Sequence, residues 1–338
     1  MKRKKQSVWL LLDSRKSGGI ESHVLQLAEG LHNHHEDVTV VFLTNYGKHP
    51  LRDELQRHGI STTCLDGRIT TLWKAMRKAR PSILHTHGYK AGIFGRMAAL
   101  LCKVPVASTY HMGETPSGKL ALYDWLDRQT ARLAARVFAV SPQIAQRLPV
   151  DTEVVDNFVD ITGLKISNGD RIAFVGRLST EKGPDYFLRL ASQIPECLFH
   201  VYGDGPQAME LKDSAPENIY FHGQQDDMAS VWPGVGLLVM PSRHEGLPMA
   251  ALEAMARGIP VLASRVGALD QLVDSGANGW LVTPGDGAEL ADRLRLWIDM
   301  SEQQRRQFKR AARQKIHQRF SADIAIPQLI SNYWQIAS

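Results

Sequence analysis

Short apolar runs alternate with stretches of helical period along all 338 residues. The runs fall at 8–12, 38–43, 83–85, 104–108 and 137–140, then at 172–175, 198–202, 219–221, 236–240 and 260–263. Between them apolar residues recur at helical spacing, as in the stretch that begins at Ile20. Strands that alternate with helices form a parallel sheet, because each crossover carries a helix back over one face. The pattern pauses over 157–170, where Gly163, Asn168 and Gly169 read as a loop, and then restarts. It therefore predicts an α/β chain of two Rossmann-like domains of similar size, residues 1–160 and 161–320, facing a central cleft. From Glu302 onward the pattern is helical, with a break near Phe320 and Ser321, where Ser321 can cap a last helix over 321–338. In sheets of this kind ligands sit at the carboxyl ends of the strands.

Composition narrows the class without changing it. At 43% hydrophobic and 22% charged residues, the chain has the make-up of a globular protein of the soluble type. No apolar run reaches the ~18 residues that a membrane span needs. The run at 8–12 is too short for a signal-peptide core and meets Asp13. Cys64, Cys102 and Cys197 lie far apart, which suits a reducing cytoplasm and shows no metal spacing.

Charge separates the two halves. Residues 1–150 hold 22 Lys/Arg against 11 Asp/Glu, a surplus of +11, and residues 151–338 hold 18 against 24, a balance of −6. A basic half points to an anionic partner. No nucleic-acid motif accompanies it, so nucleic acid is not the expected partner. Lys2, Arg3, Lys4 and Lys5, and then Trp73, Lys74, Arg77 and Lys78, fit an anionic membrane face or a phosphate-bearing acceptor. The plain alternative is a solvated basic surface. The expected location is the cytoplasm, peripheral to the membrane if that face is used.

Two strand-to-helix loops carry the candidate chemistry. In the first, Gly176 permits a turn after a strand, Arg177 and Lys182 follow, and Pro184 suits a first helical position. Two fixed cations beside a helix N-terminus suit a diphosphate. Their plain alternative is pairing with Glu181 or Asp185. In the second, Glu245 precedes Gly246 and Leu247, and Glu253 lies further on in the helix. Backbone N–H groups of Gly246 and Leu247 can meet a sugar or phosphate, and a carboxylate such as Glu253 can accept both hydroxyls of a ribose. The plain alternative makes Glu245 a helix cap and Glu253 a surface residue.

Taken together these segments resemble the retaining GT-B glycosyltransferases of family 4, the group 1 glycosyl transferases. Glu245 and Glu253 match the Glu-x7-Glu motif, and residues 176–183 match the Gly-Arg-Leu…Glu-Lys-Gly loop. Residues 203–206 match the Gly-x-Gly-Pro turn, and Phe221-His222-Gly223 the segment near the nucleobase. In the first half, Ser17-Gly18-Gly19-Ile20-Glu21, His85-Thr86-His87-Gly88 and Thr109-Tyr110-His111 are similar to shorter family signatures. The tail ending Tyr333-Trp334 is similar to a helix that crosses back to the first domain.

The resemblance implies that Arg177 and Lys182 hold a donor diphosphate, with Gly18, Gly19, Gly246 and Leu247 close to it. It places Glu245 on the donor sugar, Glu253 on the ribose, and Gly203 and Gly223 near the base. His111 would stand near the reaction centre, brought onto the donor by domain closure. The implied partners are a nucleoside-diphosphate sugar and a glycan, glycolipid or other hydroxyl acceptor of cell-envelope synthesis. No cofactor is expected. No Asp-x-Asp occurs, and Arg177 and Lys182 can supply the charge that a metal would. His85 and His87, like the histidines of 32–35, read as structural because further ligands are not apparent. An epimerase on the same fold and a non-catalytic nucleotide- or glycan-binding partner stand as alternatives.

Overall fold

A computed structural model describes residues 7–16, 18–111 and 118–337. Lys2, Arg3, Lys4, Lys5 and Ser17 lie outside these described residues. The chain divides into two compact units, Met1–Asp160 together with Ala322–Ser338, and Ile161–Ser321.

The first unit runs β1 (Ser7–Leu12), α1 (Gly19–Asn33), β2 (Asp37–Phe42), α2 (Pro50–Arg57), β3 (Ser61–Cys64), α3 (Ile69–Ala79) and β4 (Ile83–His87). It continues through α4 (Tyr89–Cys102), β5 (Val106–Tyr110), α5 (Lys119–Thr130), β6 (Arg136–Ala139), α6 (Pro142–Ala145) and β7 (Glu153–Val154). All strands pair in parallel in the order β3-β2-β1-β4-β5-β6-β7. The unbroken apolar run of β1 follows from this position. Val8, Leu10 and Leu12 enter one core with residues of α1 and α2, while Trp9 and Leu11 enter the other with Leu72 and Met76 of α3 and Ala98 of α4. Inside α4 the guanidinium of Arg96 is buried. It donates to the Asp127 carboxylate, to the Asp127 carbonyl (2.8 Å), to Thr130 (2.8 Å) and to Ser108 (3.0 Å).

The second unit runs β8 (Arg171–Val175), α7 (Pro184–Gln193), β9 (Phe199–Tyr202), α8 (Ala208–Asp213), β10 (Ile219–Gly223), α9 (Met228–Val231) and β11 (Val235–Met240). Then come α10 (Met249–Ala256), β12 (Val261–Ser264), α11 (Leu269–Leu272), β13 (Gly279–Val282), α12 (Gly287–Asp299) and α13 (Glu302–Lys315). Its parallel order is β10-β9-β8-β11-β12-β13. In both units the order reverses beside the first strand, at β1/β4 and at β8/β11. That reversal opens a crevice at the strand ends, where such sheets bind ligands.

The tail breaks where the sequence pattern does. A π-helical turn, Ile316–Phe320, ends α13, and α14 (Ala322–Ala337) then joins the first unit. Its first N–H donates to the Val159 carbonyl at 3.0 Å. Ile326 packs onto Gly30 of α1, where a Cβ would lie 2.4 Å from the isoleucine side chain, so a larger residue at 30 would make Ile326 shift. No helix among the described residues is long and apolar enough to cross a membrane.

Candidate active site

The switch point of the second unit gathers the predicted cations and carboxylates. Lys182 ends a short 3-10 turn, Thr180–Lys182, after β8, and Glu245 lies in the turn that leaves β11. The Lys182 Nζ donates to Glu245 Oε2 at 2.7 Å, and Ser242 Oγ donates to the other oxygen at 2.8 Å. The Glu245 side chain is 3% exposed and that of Lys182 27%, so the cation keeps a solvent-facing side while the carboxylate is held from below. Glu245 is not a helix cap. Pro248 holds that position and offers no side-chain bond.

Two backbone devices clamp these loops together. The N–H groups of Arg243 and His244 donate to the Glu181 carbonyl at 2.8 and 3.2 Å. Gly183 has φ +64, and a Cβ there would lie 2.1 Å from the Pro241 carbonyl. A side chain at 183 would therefore force the two loops apart and separate Lys182 from Glu245.

Arg177 is exposed, and its side chain makes no ion pair with a described residue. Asp185 does not pair with it, nor with Lys182. The Asp185 carboxylate accepts two bonds from Arg243, at 2.7 and 2.8 Å, and the Arg243 guanidinium also lies 4.3 Å from the Tyr186 ring centre. The Arg243 hydrogen bond holds the Asp185 carboxyl below the usual range. The sequence offered no sign of this clasp, because its partners are 58 residues apart. It occupies Asp185, one of the two carboxylates of the plain alternative, while the Ser179 hydroxyl donates to Glu181.

The other predicted positions adjoin these loops. Gly246 and Leu247 are buried in the same turn, and the Gly246 carbonyl accepts from Ala268 N–H at 2.8 Å. Glu253 is half-buried on the second turn of α10 and accepts from the Trp232 indole at 3.2 Å, a partner that sequence reasoning missed. Gly203 follows β9. Its N–H donates to Gly223 at 2.8 Å, and a Cβ on it would lie 1.9 Å from the Gly176 carbonyl. Gly203 therefore acts by close backbone approach, drawing the ends of β8, β9 and β10 together. Gly223 has φ +70 and open space around it.

In the first unit, Gly18 and Gly19 are exposed at the N-terminus of α1. His111 directly follows β5 and belongs to a cluster. His87 Nδ1 lies 3.1 Å from His111 Nε2, and the His23 ring centre lies 4.6 Å from that of His111. One ring nitrogen from each of His23, His87 and His111 lies within 4.8 Å of the others. His23 and His111 thus converge on His87, two neighbours that the sequence did not show, while His85 lies outside this group. A lone histidine inside α1 carried no signal of this.

Behind them, His85 is held by Tyr333 of α14 (2.6 Å) and Thr109 (2.7 Å). Burial keeps all four rings neutral. It lowers His23 to about 4 and His85 to about 3, and it pushes His87 and His111 well below the usual histidine value. Neutral imidazoles can accept or relay a proton, and they do not attract a diphosphate as fixed cations would.

Comparison with known proteins identifies the family. Residues 161–315 match the family "Glycosyl transferases group 1" and residues 18–151 match the "Glycosyl transferase 4-like domain". The chain belongs to the group 1 glycosyltransferases, and it is an enzyme that transfers sugars. It is 28% identical over 320 residues to an Escherichia coli UDP-Gal:alpha-D-GlcNAc-diphosphoundecaprenol alpha-1,3-galactosyltransferase, covering 79% of this chain and 81% of that one. It is 26% identical to a phosphatidyl-myo-inositol mannosyltransferase of Mycobacterium leprae, covering 82% of this chain and 83% of the relative. Its fold resembles that of Anabaena HepE solved with UDP-glucose, with TM-score 0.86 at 21% identity over 97% of this chain and 99% of that one. The two units are those of the GT-B fold.

Proposed function

We propose that the enzyme moves a sugar from a nucleoside diphosphate to a hydroxyl of an envelope glycan or glycolipid, with retention of configuration. The observation that carries the donor part is the Lys182–Glu245 pair at 2.7 Å, set at the switch point of the second unit. In this reading the bond from the sugar's anomeric carbon to the diphosphate oxygen breaks, and a bond to the acceptor oxygen forms on the same face. The acceptor proton passes to the departing phosphate. Lys182 and Arg177 stabilise the charge that grows on the diphosphate. Glu245 orients the sugar hydroxyls, and Glu253 takes the ribose. The reading invokes no cofactor. His111, neutral in its cluster, serves as a positioning group near the sugar.

The diphosphoundecaprenol and phosphatidylinositol acceptors named for the two relatives support a lipid-linked acceptor, at the inner face of the cytoplasmic membrane. Replacing Lys182 or Glu253 by Ala should lower donor affinity or turnover by roughly tenfold or more, the loss of one charge-assisted hydrogen bond. Calorimetric titration of UDP and UDP-sugars, with a turnover assay, reads this. Full activity in both variants would overturn the site.

A further inference from the structure

One face of the first unit is apolar and basic in a way that neither the fold nor the donor site requires. α4 packs against both α3 and α5 and turns Ala91, Ala98 and Ala99 inward. Its outer side carries Met97, Leu100 and Leu101 at the i, i+3, i+4 spacing of a helix stripe. Leu100 is 61% and Leu101 72% exposed. On α5, Leu122 and Trp125 repeat the pattern, with Trp125 51% exposed. Scattered exposed leucines need no explanation, but large apolar side chains grouped on neighbouring helices mark an interaction surface.

The charge around this group names the partner. Residues 69–111 hold seven Lys/Arg and not one Asp or Glu. Lys74, Arg77 and Lys78 of α3 are exposed, as are Arg80 and Lys103 at the ends of α3 and α4. The acidic residues of α5, Asp124 and Asp127, are buried and paired with Arg128 and Arg96. A second copy offering the same face would set cation against cation. Helices that combine exposed leucine and tryptophan with unopposed lysine and arginine match the interface of an anionic bilayer, where apolar side chains enter the acyl boundary and cations meet phosphates.

We propose that the outer face of α3, α4 and α5 docks the enzyme on an anionic lipid bilayer. Leu100, Leu101, Leu122 and Trp125 insert, and Lys74, Arg77 and Lys78 hold the headgroups. This sets the 73–78 part of the basic surface expected from the sequence on a three-helix face, and the run at residues 2–5 lies outside the described residues. It bears on the lipid-acceptor part of the proposed function and is independent of the donor site.

The test is co-sedimentation of the full chain with vesicles of phosphatidylglycerol and phosphatidylethanolamine in equal parts, against vesicles of phosphatidylcholine. Binding should favour the anionic vesicles, weaken as salt rises, and shift the tryptophan emission to shorter wavelength, a shift lost in Trp125→Phe. The pair Leu100→Glu and Leu101→Glu should cut binding roughly tenfold or more. The set Lys74→Glu, Arg77→Glu and Lys78→Glu should remove the preference for anionic lipid. Thermal unfolding and UDP binding, unchanged in both, show that the variants are folded. No sedimentation with anionic vesicles, or sedimentation unchanged by the leucine pair, overturns the proposal. So does a concentration-dependent dimer dissolved by that pair, since the face would then belong to a second copy. No donor or turnover enters the measurement, so failure of the donor site leaves its outcome intact.

Discussion

The two units share one strand order and place opposite chemistry at the same topological point. Beside β8 and β11 stand a lysine, an arginine and a glutamate, all charged, with Lys182 open to solvent on one side. Beside β1 and β4, four neutral imidazoles are packed against one another and closed from behind by Tyr333. The fold supplies the crevice in both places, and the loop residues decide what can enter it. The charged crevice suits a diphosphate. The neutral one suits hydroxyl groups and proton positioning. Even arginine is used differently. Arg96 is sealed inside the first unit as a structural pin, and Arg243 lies at the rim of the second as a loop clasp.

The largest expected effect comes from that pin. Arg96→Met leaves Asp127 buried without its cation, which should cost about 3–5 kcal/mol in urea unfolding at pH 7. Burial already lifts the Asp127 carboxyl to about 6 even with Arg96 beside it. The cost should therefore shrink below pH 6, where Asp127 becomes neutral. A loss under 1 kcal/mol would show that Arg96 is not the pin described.

A smaller effect tests the neutral cluster. The folded state holds His85 near 3, below its unfolded value. Its contribution is complete above about pH 6.5 and falls as pH drops toward 3, because only the unfolded chain then takes up the proton. The stability gap between the wild type and His85→Gln should narrow by roughly 2 kcal/mol from pH 7 to pH 5. A gap independent of pH would mean that the histidine is charged or solvated in the fold.

The smallest effect belongs to the rim. Arg243 and Asp185 are each about 30% exposed, at 30% and 27%. Arg243→Ala should change stability by about 1 kcal/mol or less, far below Arg96→Met. An equal loss at both sites would remove the contrast between pin and clasp.

The fold class was readable because burial on both faces leaves a period-independent mark. A strand such as β11 has to be apolar at every position, and turn residues bound it on both sides. The last helix was readable too, and the family resemblance implied its return to the first unit, though not its contacts there. Nothing local in Ile326 or Tyr333 says that they will pack on Gly30 and His85, some 300 and 250 residues earlier. The residues at the second unit's switch point were readable one by one, as a lysine after a Gly-rich turn and a glutamate before a helix. Their 2.7 Å meeting was not, nor was the Arg243–Asp185 clasp that leaves Lys182 to Glu245.

By itself, then, the sequence determined the periodicities, the boundary between the units, the charge imbalance and the family motifs. These are local or additive properties, written in consecutive residues. Only the tertiary structure decided which histidines form a cluster, which arginine is buried, and which helices pack beside the one with exposed leucines. Those depend on close approaches between residues far apart in sequence. Chain folding fixes such approaches through packing at backbone contacts like Gly183 against Pro241, and no window of sequence contains both partners.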